Sequence, residues 1–131
     1  MKIANTATRV TKGARELDGR LPGWVSLLDV QSLNPDCPHA CVGAQLAKHP
    51  SIQKQTTRLL NSGQCLTPYG AFVHVIFPDM EENELGALGL TFCHSEDDDD
   101  IATDDEITSD CAQRKTEWIA QVRARTIAIA A

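Results

Sequence analysis

Apolar residues recur at helical spacing in several stretches of this chain, with turn-forming residues between them. Val10, Ala14, Leu17 and Leu21 fall on one helical face, and Gly19 and the Pro22-Gly23 pair stop the pattern. That spacing predicts a first helix over about residues 8–18, capped by Thr6 or Thr8. The run WVSLLDVQSL from Trp24 suits a helical turn and then a short extended piece, and Asn34-Pro35-Asp36 reads as a turn. CVGAQLAK from Cys41 predicts a short helix. Pro50 is suited to the first turn of another, which runs to Leu60 and is ended by Asn61-Ser62-Gly63. AFVHVIF, from Ala71 to Phe77, is β-branched and aromatic and lies between Gly70 and Pro78. It is the one strand candidate, with a buried helical turn as the alternative. EENELGAL from Glu81 predicts a further helix.

The last element is the best specified. Thr103-Asp104-Asp105-Glu106 matches a capping box with two extra acids in the first turn. Beyond it Ile107, Cys111, Trp118, Ile119, Val122 and Ile129 read as one apolar face, with Trp118 as its buried anchor. Arg114, Lys115, Arg123 and Arg125 read as cations set toward the C-terminal end. The fold class predicted is mainly α, a compact single domain of about four to five helices with at most a small β element at 71–77. An acidic loop is expected at about 95–103 and the C-terminal helix at about 104–127.

Charge changes the picture more than composition does. Residues 59–113 hold no lysine or arginine and 13 of the 18 acidic residues, while both flanks are net basic. The three segments carry +4, −13 and +3, which sum to the net −6. Such segregation bears on partners and association, not on fold. No apolar run is long enough to span a membrane and no secretory leader is legible, so the expected location is the cytoplasm, of a host cell if the chain is phage-encoded. Five cysteines, an odd number, are then expected to be reduced and mostly buried.

Gly13-Ala14-Arg15-Glu16-Leu17-Asp18, Pro22-Gly23-Trp24, Leu28-Asp29 with Leu33, and Cys41-Val42-Gly43-Ala44-Gln45-Leu46 resemble a group of small proteins of actinobacteria and their phages. That group's pattern runs GAxxLD, PGW, ID and CVLGQL, with a closing tryptophan-bearing helix like that around Trp118. The order after Cys41 departs from the pattern, and residues 51–77 have no counterpart in it. The resemblance implies a helical fold and an accessory role in a phage or actinobacterial setting, and it carries over no catalytic residues.

The remaining residues offer three site chemistries. Cys37, His39 and Cys41, completed by Cys65 or by Cys93 with His94, offer thiolate and imidazole ligands for zinc in a metal-stabilised module, although the spacing is not that of a finger or ribbon. A thiol nucleophile at Cys37 or Cys41 with His39, His74 or His94 lacks any legible oxyanion loop or orienting carboxylate. The acids between Glu96 and Glu106 lack the alternating spacing and central glycine of a calcium loop. His74 reads as a core or edge histidine, and direct nucleic-acid or membrane binding is disfavoured.

The function expected is therefore non-enzymatic and cofactor-free. It is binding of a basic protein partner through an acidic surface of Glu96, Asp97, Asp98, Asp99, Asp100, Asp104, Asp105 and Glu106, joined by Asp79, Glu81, Glu82 and Glu84. Pairing of these acids with the chain's own Arg9, Lys12 and Arg15 is the structural alternative. A virion component using the same surfaces for assembly is a further one.

Overall fold

The computed structural model describes residues 5–35, 37, 39–90 and 104–130. Those residues form six α-helices and no strand: α1 Thr6–Arg20, α2 Val42–Leu46, α3 Gln53–Asn61, α4 Pro68–Ile76, α5 Glu82–Ala87 and α6 Asp104–Ala130, with a 3-10 turn at Trp24–Leu27. The mainly α class expected from the sequence is what they show. Among them no helix is long and apolar enough to cross a membrane.

Asn5, rather than Thr6 or Thr8, caps α1, its side-chain oxygen accepting the Thr8 N–H at 3.0 Å. Val10, Ala14, Leu17 and Leu21 then turn inward, as their spacing predicts. Gly23, at φ +84°, reverses the chain into the 3-10 turn and drives Trp24 into the core. There its ring meets Trp118 edge-on, with centroids 5.8 Å apart. α6 packs along α1 in the same direction, since Thr6 bonds Asp110, Thr11 bonds Gln121 and Asp18 bonds Arg125. Gly13 permits a close approach of α1 to the end of α5. A Cβ there would lie 1.9 Å from the Leu88 carbonyl oxygen.

The strand candidate at 71–77 is helical. Thr67 caps it by accepting the Gly70 N–H at 3.1 Å, and Pro68 occupies the first turn, where its missing N–H costs nothing. This start signal and the burial of Ala71 and Phe72 outweigh the weak β preference of the valines. Phe77 follows as the C-cap and packs edge-on to Phe72 at 5.9 Å. His74, expected in the core or at an edge, is exposed on the outer side.

α6 also departs from its predicted face. The buried row is Asp110, Arg114, Trp118 and Val122, spaced four apart. Ile107, Cys111 and Ile119 are only half-buried. Trp118 is fully buried as expected, its indole N–H donating to the Gly89 carbonyl at 2.9 Å.

Candidate functional site

Asp110 sits at the centre of a buried polar cluster. Its Oδ1 accepts from the Thr6 hydroxyl at 3.0 Å and from Arg9 Nη1 at 2.8 Å, and its Oδ2 accepts from Arg114 Nε at 2.7 Å. Arg9, Asp110 and Arg114 are each at most 3% exposed. Helical spacing explains the assembly: Thr6 and Arg9 lie on the inward face of α1 with Val10 and Gly13, and Asp110 and Arg114 are one turn apart on α6. Arg9 reaches further, donating from Nε to the Gly86 carbonyl at the C-terminal end of α5 at 2.8 Å. One guanidinium thereby ties α5 and α6 to α1. The sequence offers Arg9 as a partner for the chain's own acids and Arg114 as a cation toward the C-terminal end of the last helix; both are core residues, Arg9 paired with Asp110.

This clamp ties the C-terminal end of α5 and the second turn of α6 to α1, and both helices have acid-rich starts. α5 opens with a capping box between Glu81 and Glu84, and α6 opens through Asp104, Asp105 and Glu106. Both are places where backbone N–H groups and the helix dipole favour carboxylates. Asp79, Glu81, Glu84 and Asp105 are exposed and Glu106 is half-buried. A shallow depression of about 400 Å³ lies between the starts of α1 and α6. Asn5, Thr6, Asp105, Glu106, Ser109, Asp110 and Gln113 line it, and none of them is cationic. Asp104 begins α6, while Glu96, Asp97, Asp98, Asp99, Asp100 and the expected Thr103 cap lie outside the described residues. Of the first-helix cations, Arg9 pairs with Asp110, while Lys12 and Arg15 face solvent.

The described cysteine and histidine candidates do not converge. Among the described residues no three His, Cys, Asp or Glu side chains are placed to hold a metal ion. Cys41 is the N-cap of α2, its sulfur accepting the Ala44 N–H at 3.4 Å, and burial pushes its thiol pKa up, away from the thiolate that metal binding or nucleophilic attack needs. His39 is exposed. Cys37, Cys65 and Cys111 are half-buried rather than core residues. Cys93 and His94 lie outside the described residues.

The residues that carried the sequence resemblance have structural positions. Asp18 accepts from the Trp24 indole at 3.0 Å and takes a two-pronged contact from Arg125, whose hydrogen bond holds its carboxyl below the usual carboxylate range. Gln45 clasps the Asp29 backbone from both sides, accepting its N–H at 2.6 Å and donating to its carbonyl at 3.0 Å. Gly43 makes room for Phe72 and Tyr69. These side chains hold loops to helices; none faces the acidic depression. Comparison of the chain with family models, with curated proteins and with solved structures gave no significant match.

Proposed function

We propose that this protein is a small non-enzymatic accessory protein, of the phage-borne kind its sequence resembles, that binds a basic surface of a protein partner through the acidic face built on α5 and the start of α6. The observation that carries this reading is the exposure of Asp79, Glu81, Glu84 and Asp105, at the starts of two helices that Arg9 ties to α1, with no ion pair to any described cation. Carboxylates left unpaired and solvated keep their charge for a partner, raise the association rate with a cationic surface and add specificity more than affinity.

The test is capture by the immobilised chain from host lysate, with wild type compared against a variant in which Asp97, Asp98, Asp99, Asp100 and Asp105 are changed to asparagine. Wild type should retain a basic protein at low salt and release it as salt rises, because exposed charges are screened beyond about 8 Å at physiological ionic strength. The variant should fold normally and retain much less. Equal retention by both proteins at every salt concentration would refute the reading.

A further inference from the structure

We draw no further inference here: the strongest candidate, the largely apolar cleft of about 350 Å³ that Pro22, Gly23, Trp24 and Val25 line beside the Asp18–Arg125 ion pair, is a surface for which nothing in the structure shows what covers it.

Discussion

Asp110→Asn is the sharpest probe of the core, because it keeps the side chain's shape while removing a negative charge that two buried guanidinium groups share. In the wild type Arg9 and Arg114 both donate to this carboxylate, at 2.8 Å and 2.7 Å, and all three residues are shielded from water. Breaking a buried ion pair by removing one partner typically costs about 3–5 kcal/mol, since the charge left behind cannot be rehydrated. Against a total stability of about 5–15 kcal/mol that is a large fraction. For 131 residues, an unfolding entropy of about 2.1 cal/mol/K per residue turns a 4 kcal/mol loss into a melting temperature lower by roughly 10–15 °C. Urea unfolding followed by the fluorescence of Trp24 and Trp118, which touch in the core, reads the change directly. Arg9→Met/Asp110→Leu/Arg114→Met supplies the contrast. Replacing a whole buried ion cluster with apolar groups of similar size is often neutral or stabilising, so the triple variant should lie within about 2 kcal/mol of wild type, allowing for the bond lost to the Gly86 carbonyl. An Asp110→Asn loss below about 1 kcal/mol, or a triple variant as damaged as the single one, would refute the reasoning.

Gly13→Ala should destabilise by about 1–3 kcal/mol despite alanine's better helix propensity, because the new methyl would collide with the Leu88 carbonyl and the Trp118 ring; thermal melting checks it, and a gain in stability would show that this contact relaxes freely. The hydrogen bond from Arg125 lowers the pKa of Asp18, so the unfolded chain binds the proton more readily there. The stabilisation is complete above the ordinary aspartate value of about 3.9 and is lost as pH falls through the lower folded value. The urea-midpoint gap between wild type and Asp18→Asn should therefore be small, given that Asp18 is half exposed, and should close on acidification below about pH 4. Cys41 should be the slowest of the described thiols to react with Ellman's reagent in the folded protein and should match the others once the chain is unfolded; early, complete modification would contradict its burial.

The sequence by itself determined what depends on neighbours along the chain. Helical spacing of Val10, Ala14 and Leu17 placed the inward face of α1, Gly63 ended α3 with a positive φ, and Trp118 anchored α6. The run at 71–77 was ambiguous because a short apolar stretch satisfies either period, and the Thr67 cap with Pro68, both upstream of the run, decided for helix. The acids were legible as charge, but not how the helices that carry them are held to α1. That attachment depends on Arg9 meeting Asp110 across 101 residues of sequence and Gly86 across 77. A reading based on local periodicity assigns every arginine and aspartate to solvent, since an isolated charge is too costly to bury. Only tertiary structure brings the compensating charges together, and for that reason Arg9, Asp110 and Arg114 became core residues only once α1, α5 and α6 were packed.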